Sequence, residues 1–254
     1  MMRDRRLASH PRHVRVIGRM ACFTRPEFRM ERYSNVVGST SAWEGLLNAV
    51  MGHRPVRFDI ESVALLFYPR WETHTINEIS NFGDGWNPID VTARRTLRTT
   101  SFVVGNRRVL RRRGAYDDGP AERLFSGVDY VVTFRVSAPA GEFNKLNGMT
   151  DRRLKNGHFW RQPYLGQREL PAIVEPVDSF TDITYPDMQL VEHASGLRTA
   201  DYSAHLGLCF YGIDWDDPAH PYYFFPLEVR RGIVTYPTWD EVRRHGVRRK
   251  GSRC

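Results

Sequence analysis

The chain has 254 residues and a mass of 29.5 kDa, with 41% hydrophobic and 26% charged residues. That suits one large domain or a domain with an annex, and it excludes a wholly disordered chain. The net charge is +8 and the pI about 9.7, and the three lysines (Lys145, Lys155, Lys250) leave 34 of the 37 basic residues as arginine, a planar and bidentate binder of phosphate.

Such a chain favours a polyanionic partner, nucleic acid first; the plainer account is a GC-rich coding bias that writes arginine for lysine. The longest apolar run, Val63 to Tyr68, is too short to cross a bilayer, and residues 1–19 hold no apolar stretch of secretory type. The expectation is a cytoplasmic protein with no membrane contact. Cys22, Cys209 and Cys254 lie far apart with no C-x-x-C pair, which argues against a disulfide framework and a zinc ribbon.

In chain order, residues 1–13 read as a flexible basic tail. Val14 and Val16 open a strand that ends at Gly18. The clearest helix starts near Ser41, where Ser41-Ala42-Trp43-Glu44 fits a capping box. Trp43, Leu46, Leu47 and Val50 form its apolar face, and Gly52 before Pro55 closes it. Val56, Phe58 and Ile60 alternate as a strand, and Val63 to Tyr68 reads as a further, buried one. Residues 70–120 predict an insertion (about 80–123) with a short hairpin and basic loops around Gly83-Asp84-Gly85, Arg94-Arg95 and Arg107 to Arg113. From Val128 to Val136 every even position is apolar, so one face of a strand enters the core. A basic helix follows from about Asn144 to Asn156, ended by Gly157. The last third reads as β, with Leu206, Leu208 and Phe210 alternating, Tyr222 to Val229 strand-like, and Gly232 to Pro237 able to close a hairpin. The order predicts an α+β domain of split-βαβ type over 14–176, a smaller β-rich region over 177–245 and a basic tail over 246–254.

No P-loop, dinucleotide fingerprint, zinc-protease motif or nucleophile elbow occurs, and the nine histidines show no metal-ligand spacing. No metal, cofactor or small-molecule substrate is expected. RNA cleavage requires none, because the ribose 2′-OH can attack the adjacent phosphate. It needs a base, a donor for the leaving oxygen and a cation at the phosphate. Residues 158–168 interleave aromatic and basic side chains, as readers of single-stranded RNA do; packing of Phe159, Trp160 and Tyr164 onto the core is the equal alternative.

Arg15-Val16-Ile17-Gly18, then Ala21-Cys22-Phe23-Thr24-Arg25-Pro26-Glu27 and Glu31-Arg32, resemble the N-terminal signature of the CRISPR-associated Cas-five family, subtype I-C. Gln162-Pro163-Tyr164-Leu165-Gly166-Gln167-Arg168-Glu169 resembles its P-Y-L-G-x-R-E segment, with Arg152-Arg153 upstream. The resemblance implies a ferredoxin-like, RRM-type N-terminal domain with a small C-terminal antiparallel β domain. It also implies a subunit that caps the 5′ handle of CRISPR RNA (crRNA) in a Cascade complex beside a large subunit and a backbone subunit. Members of the family typically cut the precursor (pre-crRNA) without metal.

The family's catalytic positions, a Tyr or His at the end of the first helix and a later Lys-His pair, fall on Met51, Lys145 and Leu146, and only Lys145 matches. Two accounts follow. Cleavage is lost or weak and the chain is an RNA-binding subunit, or a neighbour such as His53 or His158 serves beside Lys145 in an active metal-independent endoribonuclease. The RNA-binding candidates are Arg25, Arg29, Arg32, Arg152, Arg153, Arg161 and Arg168, with Phe159, Trp160 and Tyr164 as stacking groups.

Overall fold

The computed structural model describes residues 6–25, 32–52, 55–79, 95–110, 122–177 and 199–249. In chain order its elements are β1 (Arg6–Ala8), β2 (Arg12–Gly18), β3 (Phe23–Thr24), β4 (Arg32–Asn35), α1 (Thr40–Met51), β5 (Arg57–Leu65), β6 (Tyr68–Ile79), β7 (Arg95–Leu110) and β8 (Glu122–Ser126). They continue with β9 (Val128–Pro139), α2 (Phe143–Lys155), β10 (Ala172–Val177), β11 (Ala204–Ile213), β12 (Tyr222–Val229), β13 (Ile233–Thr235), α3 (Trp239–His245) and β14 (Val247–Arg249). The class is α+β, as expected.

The main sheet runs β10-β2-β9-β5-β13, with β1 beside the end of β9, and every pairing is antiparallel. Its two helical connections interleave: β9 lies between β2 and β5, and β10 lies outside β2. The central strand β9 is buried along almost its whole length. Its even positions, Val128, Tyr130, Val132, Phe134 and Val136, join one core with Trp43, Leu46, Leu47, Leu146 and Leu154 from the helices. The opposite face is largely polar. Arg15 holds Asp129 at 2.6 Å, His13 meets Thr133, and Arg135 pairs with Glu61. Val131 packs there with Ala64 and Leu66.

Several expectations are corrected. The stretch read as a flexible tail contains β1, which pairs Arg6, Leu7 and Ala8 with Pro139, Ala138 and Ser137. The first helix is capped two residues earlier than predicted. Ser39 accepts from the Ala42 amide, while Glu44 sits in the second turn and does not act as a cap. The two strands read over 56–60 and 63–68 are one strand, β5. A bulge between Ile60 and Ser62 inserts a residue and so shifts the apolar alternation by one. Leu66 and Phe67 then form the buried turn into β6.

The expected short hairpin is a long one. β6 and β7 pair over twelve register positions, from Tyr68↔Asn106 to Ile79↔Arg95, in a second sheet ordered β3-β4-β7-β6 with β8 on β7. Gly83-Asp84-Gly85, Arg94 and Arg111 to Arg113 lie outside the described residues. At the C-terminal end β11, β12 and β14 form a three-stranded sheet. The segment expected to close a local hairpin does so through an antiparallel bridge between Arg230 and Ile233, and it also supplies β13, which pairs Ile233, Val234 and Thr235 with Ala64, Val63 and Ser62. Leu206, Cys209, Leu227, Val229 and Tyr236 share the core of the main sheet. The indole N–H of Trp43 donates to the Tyr236 hydroxyl at 3.1 Å, and that hydroxyl donates to the Gly38 carbonyl. The predicted β region is therefore continuous with the core of the larger sheet.

Candidate nucleic-acid interface

Helix α2 carries the first group of candidates. Its apolar side is narrow, with Leu146, Thr150 and Leu154 buried, so Lys145, Arg152 and Lys155 are turned outward. Lys145 and Arg152 are exposed and stand seven residues apart, about two turns along one side of the helix. Arg153 is half-buried, and its guanidinium donates to the Val50 carbonyl at 2.6 Å. The last turn of α2 holds Arg152, Arg153 and Lys155, where positive charge complements the helix dipole.

The chain then straps itself over the end of α1. The amides of Trp160 and Arg161 both donate to the Ala49 carbonyl, at 2.9 and 3.0 Å. The Trp160 ring lies against Gly52, whose φ of 74° and lack of a side chain permit the approach; a Cβ there would meet the ring at 3.1 Å. The Arg161 guanidinium sits 4.0 Å above the Trp160 ring. Phe159 is 52% exposed, Trp160 46% and Tyr164 39%, values far from core packing. A hollow of about 220 Å³ lies behind this strap, lined by Val50, Leu154, Phe159, Pro163 and Ile173 among others.

Beyond Tyr164 the segment turns inward and meets the N-terminal signature. Leu165 is fully buried and its carbonyl accepts from the Cys22 amide at 3.0 Å. The side-chain amide of Gln167 reaches the Cys22 sulfur at 3.2 Å. Gly166, with φ 86°, passes so close to the Cys22 carbonyl that a Cβ would lie 2.0 Å from its oxygen. The two motifs that carry the family resemblance are thus packed on one another. Between them and β11 is a second hollow, of about 250 Å³, lined by Thr24, Asn35, Gly38, Ser39, Gly166 and Cys209 among others.

Arg25 lies at the rim of this region. Its guanidinium donates to the Asn35 side chain at 2.7 Å and lies 5.5 Å from the centre of the Tyr33 ring. Arg168 is exposed on the loop. Arg29 and His53 lie outside the described residues, and Arg32 is described only as part of the β4 backbone. His158 is exposed in the strap.

The positions expected to hold proton-transfer groups are different in kind. Met51 and Leu146 are each 1% exposed, and Thr150 lies between them: its hydroxyl is 2.9 Å from the Leu146 carbonyl and 3.6 Å from the Met51 sulfur. This seam between α1 and α2 is core, although Lys145 beside it faces outward. Among the described residues no three His, Cys, Asp or Glu side chains are placed to hold a metal ion. No helix among them is long and apolar enough to cross a membrane.

Comparisons with known proteins identify the family. Residues 13–249 match the Cas5d model of the CRISPR-associated protein (Cas_Cas5) family. The chain belongs to the CRISPR-associated Cas5 family, in its subtype I-C branch. A relative from Mannheimia succiniciproducens, named CRISPR pre-crRNA endoribonuclease Cas5d, is 26% identical over 238 residues, 91% of this chain and 97% of that one. A second protein of that name, from Thermus thermophilus, is 32% identical over 165 residues, 65% of this chain and 63% of its own. Among solved structures, a CRISPR-associated protein superposes with a TM-score of 0.60 at 17% identity, over 94% of this chain and 97% of that one. The Streptococcus mutans protein SMU1763c, described as functionally uncharacterized, gives the same score and identity over 93% and 96%. These two likenesses speak to the fold alone.

Sequence reasoning missed two aromatic residues of this Cas5 chain, Tyr33 and Trp71. They stack with ring centroids 6.2 Å apart and an interplanar angle of 16°, beside Arg25. They belong to different strands of the second sheet, so no spacing along the chain pairs them.

Proposed function

We propose that this chain is a crRNA-binding subunit of a Cascade-type surveillance complex. It holds the 5′ handle of the RNA, and the pre-crRNA cleavage typical of its family is lost or greatly weakened. The observation that carries the proposal is the burial of Met51 and Leu146. The two positions at which the family resemblance sets a Tyr or His and a His hold core hydrocarbon and a thioether, which transfer no protons. Each general acid or base is worth roughly 10²–10⁴-fold in rate, so losing two costs several orders of magnitude. Meanwhile Lys145, Arg152, Arg161 and Arg168 stay exposed, as do Trp160 and Tyr164, a composition suited to phosphate and base contact.

The strand order β10-β2-β9-β5 with interleaved helices supports the ferredoxin-like, RRM-type reading of the larger domain, and β11-β12-β14 supports the small antiparallel β unit. The names of the two relatives support pre-crRNA or crRNA as the bound nucleic acid. A large subunit and a backbone subunit are the partners implied by the family, and the cytoplasm is where such a complex works.

The test is incubation of the purified protein with its cognate repeat RNA in excess chelator, with sequencing of the ends. Tight binding with intact RNA over long incubation is the expected result. A discrete cut ending in a 2′,3′-cyclic phosphate would overturn the loss of cleavage. His53→Ala, His158→Ala and Lys145→Ala would then identify the groups that act. Affinity that hardly changes with salt would overturn the phosphate contacts.

A further inference from the structure

Strands β4 and β6 flank β7, with Tyr33 in register with Ser101 and Trp71 with Val103. From either side, the two rings come together and stack, yet Tyr33 remains 36% and Trp71 38% exposed. Two large aromatic rings that packed only for stability would be expected to bury more of their surface. Hydrogen bonds hold the Trp71 ring and the backbone that carries Tyr33. The Trp71 indole N–H donates to the Ser34 carbonyl at 3.0 Å, and the Tyr33 carbonyl accepts from the Arg25 amide at 3.0 Å. Asn35 holds the Arg25 guanidinium beside the Tyr33 ring. A rigid, half-exposed π surface next to an oriented cation accepts a flat, neutral ring whose backbone is anionic. That describes an unpaired nucleobase, with the arginine near its phosphate. Fixing the rings beforehand lowers the ordering cost of binding.

We propose that Tyr33, Trp71 and Arg25 form a second base-stacking platform for single-stranded RNA, separate from the one at Trp160 and Arg161. The proposal rests on the RNA-binding reading above and adds a subsite to it. Continuity supports it. Asn35 orients Arg25 and also lines the 250 Å³ hollow, whose wall includes Gly166, two residues from exposed Tyr164. A strand crossing that hollow would connect the two platforms.

The test uses the full chain and its cognate repeat RNA. Tyr33→Leu with Trp71→Leu is expected to raise Kd about tenfold, since stacking on an aromatic residue is worth roughly 1–3 kcal/mol per base. The dependence of log Kd on log salt should stay unchanged, because neither residue carries charge. Tyr33→Phe with Trp71→Phe should restore most of the affinity. Should the leucine pair lower the melting temperature, photocrosslinking of the unaltered protein to repeat RNA carrying 5-bromouridine decides. Crosslinks on a peptide containing Tyr33 or Trp71 support the platform, and crosslinks confined to other peptides overturn it. An unchanged Kd in the leucine pair also overturns it and leaves the rings to a protein neighbour. Failure of the unaltered protein to bind the repeat would overturn the RNA reading itself, a distinct result.

Discussion

Arg153 reaches from α2 to the last turn of α1, its guanidinium donating to the Val50 carbonyl at 2.6 Å. Its neighbour Arg152 is exposed. Two adjacent arginines of one motif therefore have separable duties. Arg153→Ala is expected to destabilise the fold by about 1.5–3 kcal/mol, the value of a hydrogen bond from a charged donor. Arg152→Ala should leave the melting temperature nearly unchanged, weaken RNA binding and reduce the salt slope by about one phosphate contact. Thermal denaturation and a salt titration of both variants check this.

The Met51–Thr150–Leu146 seam predicts a stability phenotype with no catalytic one. Leu146→Ala removes a fully buried side chain and is expected to cost about 2–5 kcal/mol. Repeat RNA should remain intact with the unaltered protein and with the variant. Denaturant unfolding and end mapping of the RNA are the two measurements.

Gly166 is constrained twice, by a φ of 86° and by the Cys22 carbonyl. Gly166→Ala should cost about 1–3 kcal/mol for the backbone conformation alone, with the clash in addition. The loop would be pushed off the N-terminal signature. A drop in melting temperature, with faster proteolysis near residue 166, is the expected result.

Burial pushes the Glu44 carboxyl from its ordinary value of 4.5 to about 7, helped by nearby Asp59 and opposed by Arg57. A raised folded-state pKa means the folded protein holds the proton more tightly than the unfolded chain does. Glu44's favourable contribution is full below about pH 4.5 and is lost as the pH rises through about 7. Glu44→Gln should therefore gain stability relative to the unaltered protein between pH 5 and about pH 8. Melting curves at both ends of that window check the sign.

The parts of the fold that were legible in the sequence share one property: their apolar pattern keeps a single period. Even positions 128–136 and the face Trp43, Leu46, Leu47 and Val50 sit in the core as the alternation and the helical spacing require. The pattern misleads where tertiary structure breaks the period, as at the bulge between Ile60 and Ser62. β1 is three residues long and gains its place only by pairing with β9, which no local signal reports. Helix α3 did have a local signal, the capping box of Thr238 and Glu241, inside a last third that otherwise reads as β. At the interface, the P-Y-L-G segment marked exposed aromatic and basic residues, since its chemistry is contiguous in the chain. The Tyr33–Trp71 stack was invisible because it exists only after β4 and β6 have both paired with β7.

The pairing of β13 with β5 has a consequence for biosynthesis. Residues 233–235 close one margin of the main sheet, yet they are synthesised long after the Ser62–Ala64 stretch that they cover. Until residues 233–235 emerge, Ser62, Val63 and Ala64 present an unsatisfied row of backbone donors and acceptors to other nascent chains. Messages truncated before residue 233 should yield aggregates and no soluble shortened subunit. The margin of the main sheet is thus protected only once β13 has been made and has paired with β5.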